Sequence, residues 1–332
     1  MTPPGLPGGT EPRRRLPVTP DAVEGALGAL RRRVRLPSAF PIAAPTWPST
    51  VARPPVERTL GVDYDSEWAR SPAARAGRAL VQEAVAAPLV RVLAAPTVRG
   101  VDRIAHLDEP VIFAANHASH LDAPLLVSVI PQRWRRDLFV AGAADYFFDT
   151  RVKAATFAFL LNAVPIERQR VSRVSARRVS ELLADGWSML IFPEGGRSPD
   201  GWGQAHRAGA AWMAQRTGRP IVPVHVEGTR RILAKGSNRI RPGRTQVTFG
   251  APLKAGADTD PRELAVRLEA AIAALADEIE NDWYTARRRA AAGTTPVLTG
   301  PDGPGWRRAW SLGQPRRDER RRHRREKWPW TS

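Results

Sequence analysis

The sequence predicts an α/β fold, in which a central, mostly parallel or mixed sheet is flanked by helices. Two observations predict it. Short apolar runs alternate with longer amphipathic stretches through the middle of the 332-residue chain, as strand–helix alternation requires. Polar clusters also follow directly on some of the apolar runs, and sites in such sheets collect at the carboxyl ends of strands.

The apolar runs predict strands, and the amphipathic stretches predict helices. We expect strands at residues 110–115, 138–142, 164–166, 188–192, 221–226 and 246–250. We expect helices at residues 66–93, 121–130, 151–161, 172–185, 209–217 and 261–283, with Pro88 breaking or kinking the first. Pro223 removes a ladder donor from its strand, so an edge strand or a bulge is expected there.

Composition divides the chain into four regions. Residues 1–60 are rich in Pro and Arg and predict a disordered segment. Residues 61–100 form a helical lead-in that we expect to contact a membrane, and residues 101–285 form the main α/β domain. Residues 286–332 predict a disordered basic tail rich in Arg and Trp.

Several classes of chemistry and targeting are excluded or disfavoured by what the sequence lacks. There is no cysteine, so disulfides, thiol nucleophiles and Cys-ligated metals are excluded. We see no secretory signal in the first twenty residues and no run of 18 apolar residues, so no spanning helix is expected. Any membrane contact is therefore expected to be peripheral or monotopic.

The net charge of +18 calls for a polyanionic partner, and its distribution helps to identify one. Residues 305–332 carry ten Arg and Lys against three acids (10 − 3 = +7), interleaved with four Trp. Nucleic acid, anionic lipid and an acidic substrate would all suit this charge. The basic residues lie in the tails and not on a recognisable nucleic-acid-binding fold, so no nucleic acid is expected.

The most informative segment is NHASHLD, from Asn116 to Asp122, directly after a predicted buried strand. On a regular helix His117 and Asp122 would be rotated apart by roughly 140°, so they meet only if His117 precedes the helix. Ser119 and Asp122 fit a capping box, which would start the helix at Ser119. Two interpretations remain open: a general base supported by a carboxylate, or a loop histidine beside a capping residue.

Two further clusters follow predicted strands. The sequence FPEGGRS contains Glu194, Gly195, Gly196 and Arg197, and such a turn can offer backbone N–H groups and a guanidinium to an anion. Arg168 follows the strand in VPIER, where a solvated charge is the simpler interpretation. The turn and the Pro223 strand can also be explained by packing alone.

Taken together and in this order, the four segments resemble the glycerolipid acyltransferase family, which includes the 1-acylglycerol-3-phosphate acyltransferases. The resemblance covers roughly residues 93–255: His117 and Asp122 match the H-x-x-x-x-D block, residues 164–168 the second, FPEGGRS the third and residues 221–224 the fourth. The chain departs from the family at Glu167, where Asp is more usual. It departs again at residues 204–209, where an aromatic and Lys often precede Gly.

The resemblance implies a glycerol-phosphate-acyltransferase-like fold and transfer of a fatty acyl group to the hydroxyl of 1-acylglycerol-3-phosphate in phospholipid biosynthesis. His117 would be the base and Asp122 its support, with Arg168 and Arg197 on the phosphate and Glu194 orienting the acceptor or bracing the turn. N–H groups near Gly195 and Gly196 would stabilise the oxyanion. The mechanism needs no metal or cofactor.

The expected partners are an acyl thioester donor (acyl-CoA or acyl carrier protein), a lysophospholipid acceptor and an anionic membrane surface. The expected location is the cytoplasmic face of a membrane. The alternatives are a different lipid or glycolipid acceptor on the same fold, a non-catalytic lipid-binding scaffold, or a nucleic-acid-binding protein.

Overall fold

The computed structural model describes residues 61, 63–167, 173–235, 239–256, 258–304 and 306–308. Its seven strands form one sheet in the order β1-β7-β6-β2-β5-β3-β4. The strands are β1 (Pro96–Arg99), β2 (Ile112–Ala115), β3 (Leu138–Ala143), β4 (Ala163–Ile166), β5 (Ser188–Ile191), β6 (Ile221–Glu227) and β7 (Thr245–Phe249).

Five strands of the sheet, from β6 to β4, run in the same direction. β7 pairs antiparallel with β6, and β1 pairs parallel with β7, so the sheet is mixed. The predicted α/β class is therefore confirmed. Because β2 lies between β5 and β6, its carboxyl end is at the middle of the sheet.

Helices cover both faces of this sheet. They are α1 (Pro72–Val81), α2 (Ala87–Ala94), α3 (Asp122–Val129), α4 (Gln132–Arg135), α5 (Ala144–Phe147), α6 (Arg151–Leu161), α7 (Arg173–Ala184), α8 (Gly209–Thr217), α9 (Thr229–Ile232), α10 (Pro261–Glu280) and α11 (Trp283–Ala291). Among the described residues, no helix is both long and apolar enough to cross a membrane.

The two faces of β2 belong to two different core clusters, as the period of two in a strand requires. Phe113 and Ala115 pack into a cluster that includes residues of α2 and α3. Ile112 and Ala114 pack into a cluster with α7, α8 and α10. β2 is buried along its whole length, which makes its carboxyl end a rigid support for the loop that follows.

The expected irregularity at Pro88 is a π-helical turn, Gln82–Ala86, which joins α1 to α2. Proline has no N–H and clashes with the carbonyl four residues earlier, and a π turn is one way in which a helix accommodates such a defect. The helical lead-in therefore continues from residue 72 to residue 94.

Pro223 lies in an interior strand, so the edge interpretation is wrong. Ile221 pairs with Leu253, and Val224 pairs with Phe249. Residues 250–252 therefore lie opposite only two residues, 222 and 223, and the extra residue forms a bulge. The carbonyl of Pro223 accepts from Gly250 N (2.8 Å), so its nitrogen also points toward this interrupted side.

Three predicted boundaries need correction. β1 belongs to the sheet, so the main α/β domain begins before residue 100. The helix predicted at 261–283 ends at Glu280, because Asp282 caps a new helix by accepting from Thr285 N (2.8 Å). Order also continues past residue 285: α11 reaches Ala291, and Gly300 and Arg308 contact Trp202. The predictions for residues 1–60 and for the tail beyond residue 308 lie outside the described residues.

Candidate active site

The loop after β2 is held in place by the side chain of Asn116. Its Nδ2 donates to the carbonyl oxygen of Val226 (3.0 Å), and its Oδ1 accepts from the N–H of Val226 (2.7 Å). The amide therefore continues the pairing of β2 with β6 by one further rung. These two hydrogen bonds fix the point at which the chain leaves the sheet, directly before His117.

His117 and Asp122 come together as the histidine-before-helix arrangement requires. His117 Nδ1 lies 2.8 Å from Asp122 Oδ2, and Asp122 is fully buried at the first residue of α3. The same carboxylate oxygen accepts from the N–H groups of Ala118 (2.7 Å) and Ser119 (2.8 Å). The capping interpretation and the histidine-partner interpretation are therefore both satisfied by one oxygen.

The expected helix start at Ser119 is wrong, because α3 begins three residues later. Asp122 makes its half of the capping box, but the Ser119 hydroxyl accepts from Leu121 N (3.1 Å) and donates to the carbonyl of Leu233 (2.7 Å). Ser119 therefore ties the loop to the segment that follows α9.

Glu194 braces the site from the turn that follows the neighbouring strand, β5. Its Oε1 accepts from His117 N (2.7 Å), and its Oε2 accepts from Gln204 N (2.9 Å). Burial raises the pKa of Glu194 to about 7, although the two backbone N–H groups oppose this shift. Of the two roles predicted for Glu194, the contacts match bracing of the turn.

The turn after Glu194 uses the glycine that the sequence provides. Gly195 has φ +72°, and a Cβ there would lie 2.7 Å from Arg207 Nε. Its N–H donates to the carbonyl of Phe192 (3.1 Å) and so closes the turn. The oxyanion role expected of the N–H groups near Gly195 and Gly196 stays a prediction. The carbonyl of Gly196 accepts from Gln204 Nε2 (3.1 Å).

The two predicted phosphate-binding arginines differ in what the structure describes. Arg197 is half-buried, and its guanidinium lies 5.5 Å from the ring centroid of Tyr146. Lys235 Nζ donates to the carbonyl of Arg197 (3.0 Å). Arg168 lies outside the described residues.

Sequence reasoning missed His120 and Tyr146. His120 Nε2 lies 3.0 Å from the Tyr146 hydroxyl, and the two rings stack. Burial, with Arg197 and His117 nearby, lowers the pKa of His120 to about 4. No local pattern links two residues 26 positions apart, since only the folding of β3 and α5 brings them together. His106 lies exposed in the loop before β2.

A cavity of about 420 Å³ opens beside His117. Its lining is mostly apolar and comes from the helical lead-in and from α3, β3, α5 and α6; His117, His120, Tyr146 and Lys153 supply polar groups. Phe192 also lines it and stacks on the His117 ring, with centroids 4.0 Å apart. An apolar cavity with a few convergent polar groups is the usual form of a small-molecule site.

Comparison with known proteins places the central part of the chain in a family. Residues 95–227 match the family model "Acyltransferase". Two chloroplastic 1-acyl-sn-glycerol-3-phosphate acyltransferases match at 30% identity (Brassica napus) and 29% (Arabidopsis thaliana), each over 47% of this chain. These matches cover 44% and 43% of the relatives, so this chain spans less than half of their length.

A human 1-acyl-sn-glycerol-3-phosphate acyltransferase alpha is 26% identical over 52% of this chain and 61% of its own. The crystal structure of the 1-acyl-sn-glycerophosphate acyltransferase PlsC from Thermotoga maritima aligns with a TM-score of 0.49 and 25% identity, over 65% of this chain and 84% of that one. Residues 95–227 therefore match the acyltransferase family model, and the relatives named above are of the glycerolipid acyltransferase kind that the motifs resemble.

Proposed function

We propose that this protein transfers a fatty acyl group from an acyl thioester, acyl-CoA or acyl carrier protein, to the free hydroxyl of 1-acylglycerol-3-phosphate. The observation that carries the proposal is the 2.8 Å contact between His117 Nδ1 and the fully buried Asp122, beside an apolar cavity. The relatives named as acyltransferases of this acceptor support the choice of substrate.

His117 acts as the general base in this proposal. With its Nδ1 proton donated to Asp122, the Nε2 atom is unprotonated and takes the proton of the acceptor hydroxyl. The oxygen attacks the thioester carbonyl, the carbon–sulfur bond breaks, and the leaving thiolate takes the proton back from His117. Asp122 stabilises the transient imidazolium by its charge, and the N–H of Gly196 donates to the oxyanion.

The charged rim of the cavity would bind the acceptor phosphate. Arg197 and Lys153 both approach the ring of Tyr146, at 5.5 Å and 5.6 Å from its centroid. Arg168 joins them in the proposal on the strength of its motif. The apolar lining accommodates an acyl chain, whose burial is favourable in such a cavity.

The protein is further proposed to act at the cytoplasmic face of an anionic membrane, bound peripherally. The helical lead-in lines the cavity with Val81, Gln82, Ala86 and Ala87 and exposes Leu80, Val85, Leu89 and Val92. Exposed apolar side chains suit the lipid interface, and the basic tail suits anionic headgroups.

The deciding experiment is acyl transfer by the purified protein, with detergent-dispersed lysophosphatidic acid and labelled acyl-CoA. We expect His117→Ala to lower the rate by about 10²- to 10⁴-fold, the usual effect of removing a positioned base. His106→Ala is the matched control, since His106 is exposed in a loop outside the site, and its rate should equal that of the wild type. A folded His117→Ala variant within tenfold of the wild type would contradict the base role.

A further inference from the structure

The C-terminal segment 298–308 is bound to a loop of the candidate site. We call its described residues, 298–304 and 306–308, the strap. Gly203 N donates to the carbonyl of Leu298 (2.8 Å), and Trp202 Nε1 donates to the carbonyl of Arg308 (2.8 Å). Arg308 Nε donates to Asp200 Oδ2 (2.7 Å). Three contacts of different kinds thus join the strap to residues 200–203.

The strap also lies flat against the indole ring of Trp202. Gly300 has φ +72°, and a Cβ at this position would lie 2.3 Å from the ring. Only glycine permits this approach. The pKa of Asp200 is lowered, and the hydrogen bond from the Arg308 guanidinium is the largest cause of this shift, in agreement with the geometry of the ion pair.

The loop held by the strap, residues 198–204, is bonded at both ends to the groups around His117. Ser198 N donates to the carbonyl of His117 (2.8 Å), and Gln204 N donates to Glu194 Oε2 (2.9 Å). Within the loop, Gly201 N donates to Ser198 Oγ (2.7 Å). Arg197 directly precedes this loop, so a contiguous network runs from Arg308 to the proposed phosphate-binding arm.

We propose that the strap is a positioning element of the active site, which acts through Asp200 and Trp202 to hold Arg197 and Glu194 in place around His117. The strap lies outside residues 95–227, the part of the chain that matches the family model. Its kinetic consequence rests on the proposed function. The contact between the His117 and Asp122 side chains involves no residue of the strap or of its loop, so loss of the strap should weaken binding of the acceptor more than it slows the chemical step.

The test is a charge exchange across the Asp200–Arg308 pair. Asp200→Arg and Arg308→Glu each place like charges together, and we expect each to raise the acceptor KM on the order of tenfold, with a smaller change in kcat. The double variant Asp200→Arg/Arg308→Glu restores the pair and should return KM to within about threefold of the wild type. Arg307→Glu is the control, because Arg307 is exposed on the same strap, and its KM should not change.

Hydrogen exchange of the Gly201 and Gly203 amides gives a readout that needs no activity. We expect faster exchange in both single variants and recovery in the double variant. Unchanged exchange would overturn the strap contact. Faster exchange with unchanged KM would overturn the positioning role. If the wild type does not acylate lysophosphatidic acid, the proposed acceptor is wrong, and the exchange data still decide whether the strap holds the loop.

Discussion

At the scale of single residues, the candidate site depends on one carboxylate oxygen that has three partners. Asp122 Oδ2 accepts from two backbone N–H groups and contacts His117 Nδ1. The N–H bonds fix the carboxylate before any substrate arrives, so the imidazole meets a partner that has already been positioned. An acid that caps its loop is for this reason well suited to support a base.

Glu194 provides the residue-scale prediction. Because burial raises its pKa to about 7 in the folded state, above the 4.5 of an exposed glutamate, its ionisation opposes folding. Its contribution to stability is present below pH 4.5 and is lost as the pH rises through 7. Relative to Glu194→Gln, which cannot ionise, the unfolding free energy of the wild type should fall by up to about 3 kcal/mol between pH 5 and pH 8.

Urea unfolding of both proteins at several pH values measures this difference. Glu263→Gln, at an exposed position in the first turn of α10, is the control and should differ from the wild type by the same amount at every pH. A pH-independent difference for Glu194→Gln would show that Glu194 ionises normally in the folded protein.

At the scale of elements, the amide of Asn116 makes the site continuous with the sheet. Asn116→Asp keeps the acceptor for Val226 N but turns a carboxylate oxygen toward the carbonyl of Val226 in place of a donor. We expect a loss of about 1–3 kcal/mol in unfolding free energy, the usual cost of an unsatisfied buried group. Activity should fall with it, because the loop that carries His117 loses its anchor.

Denaturant unfolding and the acyl-transfer assay test this together. Gln132→Glu makes the same change of amide to acid at an exposed position, and its stability should stay within about 0.5 kcal/mol of the wild type. If Asn116→Asp is as stable as Gln132→Glu, the hydrogen bonds between the Asn116 amide and Val226 contribute nothing to the unfolding free energy.

Elements with a continuous apolar run were predictable from the sequence, and those determined by pairing were not. The helix at Arg151–Leu161 and the strand at Ser188–Ile191 follow apolar patterns that need no tertiary information. β1 has three exposed residues of four and is a strand only because β7 pairs with it. The contact between the strap and Trp202 was likewise not predictable, since basic composition does not show that the Trp202 indole donates to the carbonyl of Arg308.

The same division holds for the site. His117, Asp122 and Glu194 could be chosen from the sequence because each follows a buried strand in a recognisable block. Tyr146 and Gln204 could not, because their contacts with His120 and Glu194 are made across separate elements. Local spacing identifies candidate groups, and the fold determines which of them meet.

At the scale of the whole molecule, one helical segment serves two surfaces. The lead-in from Pro72 to Ala94 lines the cavity with some of its residues and exposes apolar side chains at others. If the exposed side rests on lipid, an acyl chain can pass between the bilayer and the cavity without crossing bulk water. The lead-in would then be an entrance for substrate as well as an anchor.

The corresponding prediction concerns binding to vesicles that contain an anionic phospholipid. Replacing Leu80, Leu89 and Val92 by Ser removes three side chains that are 54–75% exposed, so folding should be little affected. Each contributes on the order of 1.5–3 kcal/mol when fully buried in an apolar phase, so the vesicle-bound fraction in co-sedimentation should fall at least tenfold.

Val174→Ser/Val266→Ser is the control, because these valines are equally exposed (62% and 68%) on α7 and α10. Equal vesicle binding by the triple variant and the control would show that the lead-in does not contribute to membrane binding. The basic tail would then be the remaining candidate for the contact. Truncation after Arg308, which preserves the strap, tests the tail.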